Sequence, residues 1–250
     1  MLKKLYLIGI GPGDPKYLTL EAQELLEKLE VFLIPEKIGT KKELTQKRLE
    51  ILNFVKKGKP YQCIYLPFPE RPRGLNYQEK VKEWRKEKAK ILKETLMKLE
   101  EEEAGFLVWG DPTLYDGHIE IVHHVTKEAG LSFEVIPGIS SFQVLGAKFK
   151  ISLTELATPL TFHTPRTLRK LKSLDHPVLV FLDNYETFSL FKKEPLEIYW
   201  GAYVGQKSEK FISGKLSEVC EKIKTIRKKL KDEKGYLMEI YLLKPLKEDE

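Results

Sequence analysis

The apolar positions change period along the chain, and those changes predict the elements. Residues 5–10, Leu-Tyr-Leu-Ile-Gly-Ile, form an unbroken run of the kind that belongs to a strand buried on both faces. The period then becomes helical over 20–29, where Ala22, Leu25, Leu26 and Leu29 share one face and Thr19 stands at the cap position. A second strand is expected over 31–34. Thr40-Lys41-Lys42-Glu43 reads as a capping box that opens a helix running to about Val55. A third strand over 61–66 gives way to 67–74, whose three prolines require a loop. A long helix over 77–102, a strand over 105–109, a helix over 114–129 stopped by Gly130, a strand over 133–136 and a helix over 141–148 complete the first half. Strands that alternate with helices imply a mainly parallel sheet with helices on both faces.

The texture changes afterwards. A short strand over 160–163 leads into Thr164-Pro165, an N-cap followed by an N1 proline. Strands are expected over 178–182 and 197–204, a basic amphipathic helix over 215–230, and a last strand over 236–243. The boundary falls within 150–158. The expected organisation is two α/β domains, 1–152 with a mainly parallel sheet, and 153–250.

Composition narrows the class. The chain has 250 residues, 42% of them hydrophobic and 32% charged, with a formal net charge of +6. A positive balance favours an anionic partner, and both nucleic acid and a small polycarboxylate satisfy it. The Lys- and Glu-rich charge content resembles that of proteins from thermophiles. The two cysteines, Cys63 and Cys220, are far apart and lack partners at metal-ligand spacing, and adjacent His123 and His124 fall on different sides of a helix. No metal is expected. No apolar run reaches the roughly 18–20 residues that cross a bilayer, and the run after Met1 is too short for a signal peptide. The chain is expected to be soluble and cytoplasmic.

Three motifs stand directly after strands. The first is Gly9-Ile10-Gly11-Pro12-Gly13-Asp14-Pro15. A dinucleotide-binding reading fails, since Asp14 occupies the place of the third glycine and Pro12 and Pro15 delay the helix. Glu36 imitates the acid that binds a ribose in such folds. The second is Val108-Trp109-Gly110-Asp111-Pro112-Thr113-Leu114-Tyr115-Asp116, where Gly110 lets a ligand approach the backbone and Asp111 lies at the carboxyl edge of the sheet. The third is Val135-Ile136-Pro137-Gly138-Ile139-Ser140-Ser141, where a helix N-terminus can hold a carboxylate. Taken singly, each is also a plain turn or a capped helix. Asp183 and Asn184 are equally open between ligand contact and a turn.

Taken together, in this order and spacing, the three motifs resemble those of the tetrapyrrole methylase family, the class III methyltransferases, and the resemblance extends over nearly the whole chain. The stretches Glu36–Leu44 with Arg48, Phe106–Pro112 with Leu114-Tyr115-Asp116, Gly201–Gly205 and Gly235–Leu243 are similar to those of one branch of the family, although Pro12 departs from the alanine of that branch. The resemblance implies two α/β domains, the first with a mainly parallel sheet and the second with a mixed one, with S-adenosylmethionine in the cleft between them. It implies methyl transfer to C1 of precorrin-5 with loss of the acetyl group there as acetate, in corrin biosynthesis. Other precorrin or uroporphyrinogen methylases, an rRNA methyltransferase of the same fold and a non-catalytic nucleotide-binding regulator are the alternatives. The cofactor residues it implies are Pro12, Gly110, Asp111, Leu114, Ser140, Ser141, Leu182, Ala202, Tyr203, Leu237 and Met238. Lys37, Lys41, Arg48, Arg71 and Arg73 are the expected cations for the carboxylates of a small-molecule tetrapyrrole. Asp14 and Tyr115 are the candidates for acid–base roles. A homodimer that binds neither nucleic acid nor a membrane is expected.

Overall fold

The computed structural model describes residues 2–36, 42–72 and 76–246. The chain divides into two compact units, Met1–Ile139 and Ser140–Glu250. The division falls before the 152/153 boundary read from the sequence, because the helix that begins at Ser141 packs on strands of the second unit.

The first unit alternates strictly. Its elements are β1 (Lys4–Gly9), α1 (Leu20–Lys28), β2 (Val31–Pro35), α2 (Lys42–Lys56), β3 (Gln62–Leu66), α3 (Tyr77–Leu96), β4 (Glu103–Val108), α4 (His118–Ala129) and β5 (Ser132–Ile136). The five strands form a sheet of order β3-β2-β4-β1-β5 in which every pair is parallel. Side chains of β1 alternate between two cores. Leu5 and Leu7 join Leu92, Leu96, Ile121, Val122 and Val125 of α3 and α4. Tyr6 and Ile8 join Ala22, Leu26, Ile51, Leu52 and Val55 of α1 and α2. Helices on both faces explain why the strands read as continuous apolar runs.

Local signals hold at several ends. Thr19 Oγ1 accepts from Ala22 N–H at 3.1 Å, and Gly130 closes α4 at φ +68°. The capping box at 40–43 includes Thr40 and Lys41, which lie outside the described residues. Two helices are shorter than their apolar periodicity suggests. α3 ends at Leu96, and α4 starts at His118 instead of Leu114, because Tyr115 and Gly117 take φ of +55° and +77° and break the turn.

The second unit consists of α5 (Ser141–Phe149), β6 (Thr161–His163), the single turn α6 (Pro165–Leu168), β7 (Val178–Phe181), β8 (Leu196–Ala202), β9 (Lys210–Lys215), α7 (Leu216–Lys234) and β10 (Glu239–Pro245). Its sheet has the order β6-β7-β10-β8-β9, parallel only between β6 and β7. The mixed sheet is as expected, but β9 is not foreseen. It is a short edge strand with Lys210 and Lys215 at its ends, which blunts both its apolar signal and its free edge.

The core of this unit contains charge. Arg227 is fully buried on the inner stripe of α7, among Leu216, Cys220, Ile223 and Leu230. Its guanidinium donates to Glu239 Oε2 from Nε at 2.7 Å and to Glu239 Oε1 from Nη2 at 2.5 Å. Nη2 also donates to the Asp183 carbonyl at 2.6 Å, and Nη1 lies 2.9 Å from Glu186 Oε1. Trp200 Nε1–H donates to Glu239 Oε2 at 2.7 Å. Asp183 is 1% exposed and accepts from the N–H groups of Tyr185 and Thr187 and from the Tyr241 hydroxyl. A turn is therefore what Asp183 and Asn184 make. Neither cysteine is bonded to another, and burial pushes the thiol of Cys63 up to about 11.

Removing one partner of a buried pair leaves the other charge uncompensated. Arg227→Met is expected to cost about 3–5 kcal/mol of unfolding free energy, and Arg227→Met combined with Glu239→Leu to recover part of it. Denaturant unfolding of the two variants beside the unaltered chain measures both.

Candidate functional site

In an all-parallel sheet every carboxyl end lies on one edge, so the loops after β1, β4 and β5 emerge together. The connection from β1 leads toward β2 and that from β4 toward β5, in opposite directions along the sheet order. Adjacent strands whose connections diverge in this way mark the place where such sheets bind ligands. Register brings the three motifs level there: Gly9 pairs with Val108, and Ile8 with Ile136.

The loops are held in contact by backbone. Gly11 N–H donates to the Gly110 carbonyl at 3.2 Å, and Gly110 N–H donates back to Gly11 at 2.9 Å. The loop after β5 closes from the other side. A methyl group on Gly138 would overlap the Gly110 carbonyl oxygen, and one on Gly9 would stand 2.6 Å from Gly138 N. Only glycine allows this approach. Asp111 joins the second and third motifs, since its Oδ2 accepts from Gly138 N–H at 2.8 Å. Its Oδ1 accepts from Thr113 N–H at 2.7 Å and from the Thr113 hydroxyl. One lone pair remains on Oδ2 for a cationic or hydroxyl donor. Above Gly110 the space is open, with nothing within 4 Å of where a Cβ would be.

Sequence-named residues cluster here. Pro12 is buried in the first loop, and Leu114 is half-buried in the second. Asp14 caps the short 3-10 helix Pro15–Tyr17, accepting from Lys16 N–H at 3.1 Å and pairing with Lys16 Nζ at 3.0 Å. Tyr115 is 48% exposed in a left-handed conformation, and partial desolvation pushes its pKa upward.

In the second unit the named residues share one sheet edge. Ala202 ends β8 opposite Glu239, and Tyr203 N–H donates to Met238 O at 2.8 Å. Leu182 follows β7 and is 53% exposed. Leu182 and Tyr203 both hold positive φ, +58° and +49°, and strain of this kind concentrates at ligand sites. Ser140 precedes α5, its N–H donating to Gln143 Oε1 at 2.8 Å, and Ser141 is half-buried. Gln206 is not singled out by the sequence. It is 6% exposed, and neither polar atom of its side-chain amide has a hydrogen-bond partner. A buried amide left without partners one turn from Tyr203 suits a polar ligand. The only sequence signal was its place next to Gly201–Gly205.

The proposed substrate cations divide. Lys37, Lys41 and Arg73 lie outside the described residues. Arg71 is exposed, 5.9 Å from the Trp84 ring. Arg48 is 6% exposed, under Trp109, and donates to the carbonyls of Leu44 at 3.0 Å and Leu107 at 3.4 Å. Burial lowers its pKa to about 10, partly opposed by Asp116. Among the described residues no group of three or more His, Cys, Asp or Glu side chains could hold a metal ion, and no helix is long and apolar enough to cross a membrane.

The family model of the tetrapyrrole (corrin/porphyrin) methylases matches residues 4–220. The chain belongs to this family and is a methyltransferase. It is 36% identical over 249 residues to the precorrin-6A synthase [deacetylating] of a Sinorhizobium species, which covers 97% of this chain and 95% of that one. A crystal structure from Corynebacterium diphtheriae, of a protein described as cobalamin synthesis related (CobF), is similar with a TM-score of 0.83. Its identity is 28%, over 99% of this chain and 100% of that one. The uroporphyrin-III C-methyl transferase of Thermus thermophilus, complexed with S-adenyl homocysteine, shares the fold at a TM-score of 0.62 and 19% identity, over 96% of this chain and 92% of that one.

The glycine contact and the Asp111 staple generate one expectation. Gly138→Ala must push the loops apart at a cost of about 1–3 kcal/mol. Asp111→Ala leaves Gly138 N–H without its acceptor, a loss of similar size. Both should lower the unfolding midpoint in denaturant far more than Thr113→Val, which removes only the hydroxyl bond.

Proposed function

We propose that this chain replaces the acetyl group at C1 of precorrin-5 by a methyl group, releasing acetate, with S-adenosylmethionine as methyl donor. The observation that carries this reading is the likeness to the Sinorhizobium precorrin-6A synthase along nearly the full length of both chains, through both units. Water adds to the acetyl carbonyl and the bond from C1 to the acetyl carbon breaks. Acetate leaves, and the electron pair remains in the ring system at C1. That carbon then takes the methyl group. S-adenosylmethionine supplies the methyl already activated on a sulfonium, so the chain's task is to hold the reacting carbons close and in line.

The residues suit these tasks. In the first unit the open space over Gly110 and the remaining lone pair of Asp111 suit a polar ligand, and in the second the orphaned amide of Gln206 does so independently. Pro12, Leu114, Ser140, Ser141, Leu182, Ala202, Tyr203, Leu237 and Met238 complete the proposed cofactor contacts. Tyr115, with its pKa raised, keeps its proton and serves as hydrogen-bond donor to the developing oxyanion. Asp14 is the proposed base for the water. Arg71 and the cations of 37–41 and 73 meet the substrate's carboxylates. Arg48 acts from beneath Trp109. The protein works on a small molecule, in the cytoplasm, as a homodimer. Exposed Tyr185 and Leu190, 68% and 65% accessible, are the proposed centre of the dimer contact.

Incubation of precorrin-5 with the protein and methyl-labelled S-adenosylmethionine should yield a labelled corrin lacking the acetyl group, with acetate released in equal amount. Mass spectrometry reads both. Label in a product that keeps its acetyl group, or in ribosomal RNA, refutes the reading. Light scattering should give a dimer mass, and Leu190→Glu should shift it toward the monomer.

A further inference from the structure

A line of buried polar side chains runs beneath the 110–117 loop, and neither the cofactor contacts nor the acid–base roles use it. Lys88 of α3 is 4% exposed and its ammonium donates to His118 Nε2 at 2.6 Å. The other ring nitrogen, Nδ1–H, donates to Asp116 Oδ1 at 2.5 Å, which also accepts from His118 N–H at 3.1 Å. The His118 and Asp116 side chains are only 12% and 17% exposed. The imidazole is packed between aromatic rings, 4.9 Å from Phe106 and 6.0 Å from Phe68. Arg48 of α2 adds a cation that acts electrostatically on both Asp116 and His118. Arg85 of α3 and Glu120 of α4 face Gly117 next to it.

This arrangement fixes the ring's state. Nε2 accepts from an ammonium, so it carries no proton, and the single ring proton sits on Nδ1. Burial works in the same direction and pushes the His118 pKa down, against the raising effect of Asp116. The line anchors the loop immediately after Tyr115, as the Asp111 bond to Gly138 anchors it before. Between the two anchors Tyr115 is held at φ +55°, a conformation that a tyrosine keeps only where its surroundings enforce it.

We propose that Lys88, His118 and Asp116 form a clamp that presents Tyr115 to the substrate, and that the clamp holds only while the His118 ring is uncharged. Protonation turns Nε2 into a donor facing an ammonium. The hydrogen bond is lost, and a third positive charge is buried beside those of Lys88 and Arg48. His118 is a positioning residue here: it touches neither substrate nor cofactor. The inference rests on the proposed deacetylating methyl transfer for its kinetic consequence, but not for its structural one.

The structural consequence has a definite sign. His118 has a folded-state pKa below its ordinary 6.5, so its contribution to stability is complete above 6.5 and is lost as pH falls from there. The test follows kcat against pH, with precorrin-5 and S-adenosylmethionine, for the unaltered enzyme, His118→Gln and Lys88→Met. His118→Gln keeps an acceptor for Lys88 without a titrating ring, and Lys88→Met removes the cation that opposes protonation. The unaltered enzyme should lose kcat on the acid side while its affinity for S-adenosylmethionine, read by calorimetry, stays nearly constant. His118→Gln should turn over more slowly with its acid limb flattened. Lys88→Met should move the limb toward neutral pH. A His118→Gln enzyme with the original limb, or a Lys88→Met limb that stays in place, overturns the clamp. Unfolding midpoints against pH supply an arm that needs no substrate: the unaltered chain should lose more stability below 6.5 than His118→Gln. Equal losses also overturn the clamp. Absence of any corrin product fails the proposed reaction alone, and the unfolding arm then decides the clamp.

Discussion

The first unit depends on a contact between backbones. Three loops leave the carboxyl edge of one parallel sheet, and at Gly9 and Gly138 they approach more closely than any side chain would permit, Gly138 lying against the Gly110 carbonyl. The Asp111 carboxylate then holds the second and third loops together through Gly138 N–H. A ligand site built this way gains its shape from peptide groups, which do not change rotamer. Groups fixed in advance lose little entropy when a ligand binds and need no rearrangement as charge develops. That suits methyl transfer, where alignment supplies most of what the protein can contribute.

Charge buried beneath the loops serves both units in the same way. In the first, the line from Lys88 through His118 to Asp116 crosses from α3 to the loop before α4, and Arg48 reaches toward it from α2. In the second, Arg227 collects Glu239, Glu186 and the Asp183 carbonyl, while Asp183 takes Tyr241 and the following turn. Asp183 follows Leu182, and Glu239 follows Met238, so the network lies directly behind residues at that sheet edge. Buried ion pairs of this kind are weak contributors to net stability, but they penalise any shift of their members. The positive φ values of Tyr115, Leu182 and Tyr203 lie next to these networks. Strained residues persist where neighbours over-determine them.

Arg227 shows where a sequence pattern stops being readable. The buried positions of α7, Leu216, Cys220, Ile223, Arg227 and Leu230, follow a regular helical stripe with one charge in it. Periodicity alone assigns an arginine there to a basic surface face. Its partners Glu186 and Glu239 come from other elements, and no local spacing announces them. Gln206 is a similar case, since a glutamine after a glycine-bounded stretch carries no sign that it will be buried. β9 escaped because an edge strand with lysine at each end has little apolar signal to detect.

The sequence by itself determined the alternation of strands and helices, the caps at Thr19 and Gly130, and the three strand-end motifs. These follow from short-range rules: the period of side-chain burial, the φ allowed to glycine and proline, and the hydrogen bonds of a residue's own neighbours. Only the tertiary structure decided that Gly9, Gly110 and Gly138 touch, that Asp111 is a staple between loops, and that Arg48 lies beneath Trp109 instead of in solvent. It also decided that His118, an ordinary residue in the sequence, stands between an ammonium and a carboxylate. Each of these depends on which residues far apart in the chain are brought within a few ångströms, and that is set by strand order and register, which no local pattern encodes.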